Sequence, residues 1–399
     1  MNATRPHASN TTTEGGASFR FTAPRRIIFG AGMLAEVGDL AAAMGRRPLV
    51  VTGRTADRAE QLLALLRGKQ LTPTVFGVPH EPDLGIVRKG TALARDEGCD
   101  CAIGFGGGSV LDAAKAMAIL ITNRGDVLDY LEIVGRGNAL TGPPVPLIAI
   151  PTTAGTGTEA TQNSVITSPE HRVKVSLRDP LMLPAIALVD PELTYDLPPA
   201  LTATTGLDAL TQVIEPFVSR RANPLTDGLC REGMGRVARS LRRAFDDADP
   251  VAREDMSLAS LFSGLALANA GLGAVHGLAG PLGGMITAPH GALCAALLPA
   301  VVHINLEALR RRNPDSPAVD RYEQVARLLT GDQAAKAEDA PPWLRDLVAD
   351  LQIPRLREHG LDAKQIPELV RKSQTASSMK GNPVELTTEE LQEIVEAAF

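Results

Sequence analysis

The sequence predicts an α/β domain with a parallel sheet, followed by an all-α domain. With 399 residues, 44% of them hydrophobic, the chain is long enough to bury two cores. From about residue 26 to residue 190, short apolar runs alternate with helical patterns, which predicts crossover connections and a parallel sheet covered by helices. Beyond residue 200 the strand-like runs disappear and only helical periodicity remains.

Six apolar runs are the predicted strands, namely RRIIFG, RPLVVTG, TPTVFGV, CDCAIGFGGG, PLIAIPT and AIALVD. Helical segments such as ADRAEQLLALLRGK separate several of them. Five later segments have helical periodicity: LTDGLCREGMGRVARSLRRAF, AREDMSLASLFSGLALANAG, AVDRYEQVARLLTG, WLRDLVADL and TEELQEIVEAA. The last helix is expected to begin at a capping box, because Glu390 stands three residues after Thr387.

Two prolines, Pro198 and Pro199, mark the expected domain boundary. The α/β domain is therefore predicted at residues 19–197 and the helical domain at residues 198–399. Residues 1–18 are polar and lack the apolar core of a secretory signal, so they are expected to form a disordered tail.

Composition excludes several classes of protein. A net charge of −6 and a pI near 5.7 give no basic field for binding nucleic acid. Glycines, prolines and histidines interrupt every long apolar stretch, which predicts no membrane span. The four scattered cysteines, Cys99, Cys101, Cys230 and Cys294, suit a reducing cytoplasm, and the first two are expected to be small buried hydrophobic residues.

A glycine-rich turn follows the fourth predicted strand, in AIGFGGGSVLDAAKAMA. Gly106, Gly107 and Gly108 permit close backbone approach to an anion, and the helix that begins near Ser109 and carries Asp112 directs its first N–H groups toward it. A pyrophosphate is the expected occupant. The dinucleotide fingerprint G-x-G-x-x-G is absent, so a tight strand-to-helix turn without a ligand is the alternative.

The second strand suggests how the adenosine end of a cofactor would be held. An acid at the end of this strand commonly binds the ribose 2′-hydroxyl, but here the strand ends in Gly53 followed by Arg54. A cation in place of an acid tolerates a 2′-phosphate. Both NAD and NADP are therefore compatible with the sequence.

A second loop, PTTAGTGTE at residues 151–159, follows the fifth strand. Thr152, Thr153 and Thr156 could donate hydrogen bonds to the nicotinamide half of the cofactor. A polar turn in which the threonines cap their own backbone is the alternative.

Four side chains of the helical half could converge on a metal ion. Asp208 and Gln212 lie one turn apart on the same face of a predicted helix, in GLDALTQVIEP. His276 and His290 are separated by prolines and glycines, so two helices must meet to bring them together. One carboxylate, one amide oxygen and two imidazoles suit Fe²⁺ or Zn²⁺. Two core histidines bonded to the backbone are the alternative.

The motifs in their order resemble the iron-containing, or group III, alcohol dehydrogenases over residues 20–399. The motifs are GGGSVLDAAKAMA, PTTAGTGTEAT, GLDALTQVIEP, NPLTD, GAVHGLAGPLG and APHGALCAALLP. The resemblance implies a dehydroquinate synthase-like fold, with a dinucleotide-binding domain, a helical domain and the active site between them. It also implies NAD(P)-dependent hydride transfer between the cofactor and a small alcohol or aldehyde, usually in a homodimer.

The resemblance also assigns the ligands. Three of the four family metal ligands are matched here by Asp208, His276 and His290. The ion that they hold would polarise the substrate oxygen. The other family ligand is a histidine, and here its place is taken by Gln212, a weaker donor that should loosen binding of Fe²⁺ or Zn²⁺.

Two more positions follow from the resemblance. Many family members carry a proton-relaying histidine where this chain has Gly280, so a proton would leave through water or a ribose hydroxyl. Lys174 matches a family lysine near the cofactor. Three other functions stay open: a maleylacetate reductase-like enzyme, a lyase related to 3-dehydroquinate synthase, and a cofactor-binding homologue without turnover.

Overall fold

The computed structural model describes residues 18–54, 57–132, 134–171 and 173–399. The predicted disordered tail lies outside these residues, apart from residue 18. The described chain has an α/β half and a helical half, as the sequence predicts. The last strand of the first half ends at Val189 and the first long helix of the second half begins at Pro199, so the predicted domain boundary falls in the segment between them.

The six predicted strands form one parallel sheet, which confirms the predicted fold class. The strands are β1 Arg26–Phe29, β2 Pro48–Thr52, β3 Thr74–Gly77, β4 Cys101–Gly106, β5 Leu147–Pro151 and β8 Ile186–Val189. Their order across the sheet is β1-β8-β5-β4-β2-β3. Every residue of β2, β4, β5 and β8 is buried, because helices cover both faces, and this burial explains the continuous apolar runs in the sequence.

A separate antiparallel hairpin was not predicted. It consists of β6 Asn163–Ser168 and β7 Val173–Arg178. Buried and more exposed side chains alternate along β6, as expected for a strand with one face on the core. A search for continuous apolar runs misses such a strand. The hairpin matters for function because Lys174 lies on β7.

Four α-helices accompany the sheet. They are α1 Val37–Ala42, α2 Glu60–Gly68, α3 Leu84–Asp96 and α4 Gly108–Thr122. Separate groups of buried apolar side chains lie between the sheet and these helices. Helix α4 packs tightly on β4, since a Cβ built on Gly104 of that strand would lie 2.9 Å from Cβ of Ala114.

The second half contains nine α-helices within the described residues. They are α5 Pro199–Val218, α6 Pro224–Asp246, α7 Pro250–Ala270, α8 Ala274–Met285, α9 His290–Arg312, α10 Pro317–Thr330, α11 Ala340–Asp350, α12 Ile366–Gln374 and α13 Thr388–Ala398. The predicted capping box of α13 is confirmed, because Thr387 Oγ1 accepts from the Glu390 N–H and Glu390 Oε2 accepts from the Thr387 N–H. The predicted break between the two histidines is also confirmed, since α8 and α9 are separate helices.

Helix α9 is long and apolar enough to cross a membrane by length and composition. Its most apolar 18-residue window is 78% buried inside the protein, however, as expected for a central core helix. Helix α9 contacts α5, α8, α11 and α13, so its apolar surface is covered by other helices of this chain.

Candidate active site between the two halves

The predicted cofactor residues follow the carboxyl ends of three neighbouring strands. Gly53 follows β2, Gly106 ends β4, and Thr152 follows β5. Because the strands are parallel, all three positions lie at one edge of the sheet. The chain leaves β2 toward β3 and leaves β4 toward β5, in opposite directions, and such a change of direction opens a crevice that commonly binds nucleotides.

The glycine turn joins β4 to α4 by close contacts. A Cβ on Gly106 would lie 2.6 Å from Cγ2 of Val110, so a larger residue could not fit without a shift. The carbonyl oxygen of Gly106 accepts from the Thr152 N–H at 3.0 Å. Gly107 is the N-cap residue of α4, and no side chain of residues 18–54, 57–132, 134–171 or 173–399 caps this helix. The first N–H groups of α4, including that of Ser109, therefore face the crevice without a side-chain acceptor.

The threonine loop, residues 152–159, packs against the glycine turn. A Cβ on Gly107 would lie 3.3 Å from Oγ1 of Thr153, and a Cβ on Gly108 would lie 2.9 Å from Cγ2 of Thr156. Thr153 and Thr156 are only half-buried. The structure thus places the two loops that the sequence assigns to the cofactor beside each other.

The same loop contacts the helical half. Gly157 has φ +59°, a left-handed conformation that favours glycine, and a Cβ there would collide with Gly264 of α7. A Cβ on Gly155 would lie 2.6 Å from Cβ of Thr205 in α5. The Gly155 carbonyl accepts from Nε2 of Gln212 at 3.0 Å. The threonine loop therefore connects the crevice to the helix that carries Asp208.

Three ionisable side chains lie close together at the C-terminal end of the threonine loop, and we call them the lysine cluster: Asp112, Lys115 and Glu159. Lys115 and Glu159 are buried, and the Asp112 side chain is 14% exposed. Lys115 Nζ donates to the Thr158 carbonyl at 2.9 Å and to Thr161 Oγ1 at 2.8 Å, and lies 3.6 Å from Asp112 Oδ1. Burial lowers the pKa of Lys115 to about 8 and raises the pKa of Asp112 to about 6. The cofactor role predicted for Asp112 stays a prediction.

Lys174 extends from the hairpin to the cleft. Its Nζ lies 2.6 Å from Oε2 of Glu81 and 3.5 Å from the position of a Cβ on Gly283 in α8. Gly280, one turn earlier on α8, is exposed, and a Cβ there would meet nothing within 4 Å. The place of the family's relay histidine is therefore open space.

Three helices bring the predicted metal ligands together. His276 Nε2 lies 3.6 Å from Oδ1 of Asp208, and His290 Nε2 lies 4.0 Å from the same oxygen. A fourth side chain, Cys294, joins them, with its sulfur 3.8 Å from His276 Nε2 and 3.5 Å from His290 Nε2. One potential ligand atom from each of the four residues lies within 4.8 Å of the others. We call these four residues the histidine cluster.

Sequence reasoning missed two members of this region, Glu215 and Cys294. Glu215 Oε2 accepts from His276 Nδ1 at 2.6 Å, and its Oε1 accepts from the Val275 N–H at 2.7 Å. A proton on Nδ1 leaves the Nε2 lone pair directed at Asp208, as in carboxylate–histidine–metal arrangements. The available signal was helical spacing, since Glu215 lies two turns after Asp208 and Cys294 one turn after His290.

The charges of the histidine cluster favour a cation. Burial by itself raises the pKa of Asp208, but its interactions with the imidazoles of His276 and His290 lower it below its ordinary value. The Asp208 carboxylate is 4% exposed, and its Oδ1 has no hydrogen-bond partner among the described residues. A buried anionic oxygen without a partner is costly, and a divalent cation would satisfy it. The residues present therefore fit an ion of the Fe²⁺ or Zn²⁺ type.

Comparison with known families agrees with this geometry. The family model described as "Iron-containing alcohol dehydrogenase" matches residues 24–191, and the one described as "Fe-containing alcohol dehydrogenase family, C-terminal" matches residues 202–399. The fold and the sequence thus define an oxidoreductase of the alcohol dehydrogenase type. The chain belongs to the iron-containing alcohol dehydrogenase family, which confirms the resemblance seen in the motifs.

Individual relatives cover nearly the whole chain. Alcohol dehydrogenase 4 of Schizosaccharomyces pombe is 36% identical over 95% of this chain and 89% of its own length. The 1,3-propanediol dehydrogenase of Klebsiella pneumoniae is 35% identical over 96% of this chain and 99% of its own length. The structure of sulfoacetaldehyde reductase from Bifidobacterium kashiwanohense, in complex with NAD⁺, matches with a TM-score of 0.85 and 30% identity, over 96% of this chain and 99% of that chain.

Proposed function

We propose that this protein is an NAD(P)-dependent alcohol dehydrogenase that transfers hydride reversibly between the nicotinamide and a small alcohol or aldehyde. The observation that carries the proposal is the position of the threonine loop, which contacts the glycine turn through Thr153 and Thr156 and contacts Gln212, one turn from Asp208, through Gly155. A dinucleotide at the sheet edge would extend along this loop toward the histidine cluster.

The cofactor residues divide between its two ends. The uncapped start of α4 and the glycine turn would bind the pyrophosphate, while Gly53 and Arg54 lie where the adenosine ribose is expected. Thr152, Thr153 and Thr156 would contact the nicotinamide half, and Lys174 would lie nearby. A carboxylate at the end of β2 would disfavour NADP, and its replacement by Gly53 supports use of either cofactor.

The histidine cluster would hold the divalent ion. Asp208, His276 and His290 would be three of its ligands, as in the family pattern. Gln212 stands at the remaining family position and is the further ligand that this pattern predicts. When bound, an Fe²⁺ or Zn²⁺ ion supplies a Lewis acid that stabilises negative charge on the substrate oxygen. Glu215 keeps His276 in the tautomer whose Nε2 can bind the ion. Gly280 leaves the proton to water or to a ribose hydroxyl.

Three properties complete the proposal. The substrate is a small alcohol or aldehyde, which the names of the related alcohol and 1,3-propanediol dehydrogenases support. The protein is a homodimer, as implied by its family. It is cytoplasmic, which suits the four free, buried cysteines, all within the described residues.

A cofactor and substrate panel tests the proposed function. Purified protein loaded with Fe²⁺ or Zn²⁺ should change absorbance at the reduced-nicotinamide band when given NAD or NADP with some member of an alcohol and aldehyde series. Cofactor binding without turnover of any member would contradict the proposal and support a binding homologue. Turnover confined to a dicarboxylate such as maleylacetate would instead support the maleylacetate reductase alternative.

A further inference from the structure

Cys294, the fourth potential ligand in the histidine cluster, is the feature in which this chain departs from the metal-ligand pattern of its family. Cys294 lies one turn after His290 on α9, so both side chains leave the same face of the helix. Its side chain is fully buried, and its sulfur approaches both imidazole Nε2 atoms, at 3.5 and 3.8 Å. A thiol in this place has no role in the family pattern of one aspartate and three histidines.

Gln212 has a different hydrogen-bonding role. Its Nε2 donates to the Gly155 carbonyl at 3.0 Å and so ties α5 to the threonine loop. An amide is also the weaker donor chemically, because it is neutral whereas a thiolate is anionic and polarisable. Gln212 therefore holds a loop in place, while Cys294 faces the other potential ligands.

Four of the six distances between potential ligand atoms in the cluster are close to those around a four-coordinate ion. With ligand bonds of about 2.0 to 2.3 Å, neighbouring ligand atoms of a tetrahedral site lie about 3.3 to 3.8 Å apart. Three pairs of the cluster are at 3.5, 3.6 and 3.8 Å, and the pair formed by His290 and Asp208 is at 4.0 Å. The atom without a partner, Asp208 Oδ1, belongs to two of these pairs. Small side-chain movements would complete the site.

We infer that the Cys294 thiolate replaces the missing histidine as the fourth metal ligand, with Asp208, His276 and His290 as the other three. This inference rests on the proposed function, because it specifies the ligands of the same site. Two anionic and two neutral ligands would balance the charge of a divalent ion in a buried site. A thiolate also favours Zn²⁺ over Fe²⁺, so the chain should retain Zn²⁺ more firmly than the family name suggests.

Cobalt substitution tests the ligand directly, because thiolate bound to Co²⁺ gives an intense near-ultraviolet charge-transfer absorption. The wild-type protein with one Co²⁺ should show this absorption. Cys294→Ala should lose it and bind Co²⁺ at least about 100-fold more weakly, since loss of an outer-shell partner alone costs about 10 to 100-fold. The matched control is Cys230→Ala, which removes a buried thiol outside the cluster and should keep the absorption.

A second pair of variants separates Cys294 from Gln212. Gln212→Ala should keep the charge-transfer absorption, and adding Gln212→His to Cys294→Ala should restore tight binding without it. If Cys294→Ala does not fold, X-ray absorption on the zinc-loaded wild type gives the answer, with one sulfur neighbour expected at about 2.3 Å. Stoichiometric metal without a sulfur ligand would overturn this inference alone. Failure to bind Co²⁺ or Zn²⁺ at all would overturn the proposed metal as well.

Discussion

The lysine cluster and the histidine cluster are both largely buried groups of ionisable side chains, and the threonine loop is hydrogen-bonded to Lys115 of the first and to Gln212, one turn from Asp208 of the second. They differ in where the positive charge comes from. In the lysine cluster the chain supplies its own cation. Lys115 Nζ donates to the Thr158 carbonyl and to Thr161 Oγ1, and it lies near Asp112. In the histidine cluster, within the part of the chain that the structure describes, the buried oxygen Asp208 Oδ1 has no hydrogen-bond partner.

This difference distinguishes buried charges that are paired within the chain and stabilise the fold from buried charges that would be paired by a bound ligand. A buried ion pair whose donors are all hydrogen-bonded fixes the positions of the segments around it. Removing one partner leaves an uncompensated buried charge and lowers the stability of the fold. A buried carboxylate beside imidazoles and a thiol, with one oxygen unpaired, is instead arranged for an ion that binds after folding. The lysine cluster should therefore act on stability, and the histidine cluster on metal binding and activity.

The largest effect is expected from Lys115→Met. This change removes the internal cation, leaves the largely buried Asp112 and Glu159 without it, and should lower the free energy of unfolding by about 3 to 5 kcal/mol. Urea denaturation measures it. Lys69→Met is the matched control, because Lys69 and its partner Asp39 are both largely exposed and the change should cost less than about 1 kcal/mol. An equal loss in the two variants would contradict the structural role of the lysine cluster.

In the histidine cluster, a substitution should abolish the stabilisation by bound metal while leaving the stability of the metal-free protein nearly unchanged. Zn²⁺ at about 100 times its dissociation constant should stabilise the metal-free wild type by about 2.7 kcal/mol. Asp208→Asn should abolish this gain, yet change the metal-free stability by less than about 1 kcal/mol, because Oδ1 has no partner to lose. Thermal unfolding with and without Zn²⁺ measures both quantities. Equal stabilisation of wild type and Asp208→Asn would contradict the assignment.

The sequence predicts the sheet well because its strands are covered on both faces and are therefore continuously apolar. It misses the β6–β7 hairpin, in which only alternate positions are buried. For the site, spacing and family likeness predict Asp208, His276 and His290, and the structure brings these side chains together. They do not identify Cys294, because a cysteine among alanines and leucines is usually a small core residue. Only the convergence of α5, α8 and α9 places its sulfur beside the imidazoles.

The smallest predicted effect is a pH dependence of the free energy of unfolding, which comes from Glu159 of the lysine cluster. Burial raises the pKa of Glu159 from 4.5 to about 7. Its contribution to stability is therefore fully present below pH 4.5 and is lost as the pH rises through 7, because the folded protein holds the proton more tightly than the unfolded chain.

Glu159→Gln removes this titrating group from the lysine cluster while keeping the side chain's size. The stability of wild type relative to Glu159→Gln should then fall by about 2 kcal/mol between pH 5 and pH 6.5. Urea denaturation at the two pH values measures the difference, and Asp112, whose pKa is raised in the same direction, is present in both proteins. A relative stability that stays constant or rises over this range would show that Glu159 is already ionised in the folded protein, with the charge of Lys115 outweighing the cost of its burial.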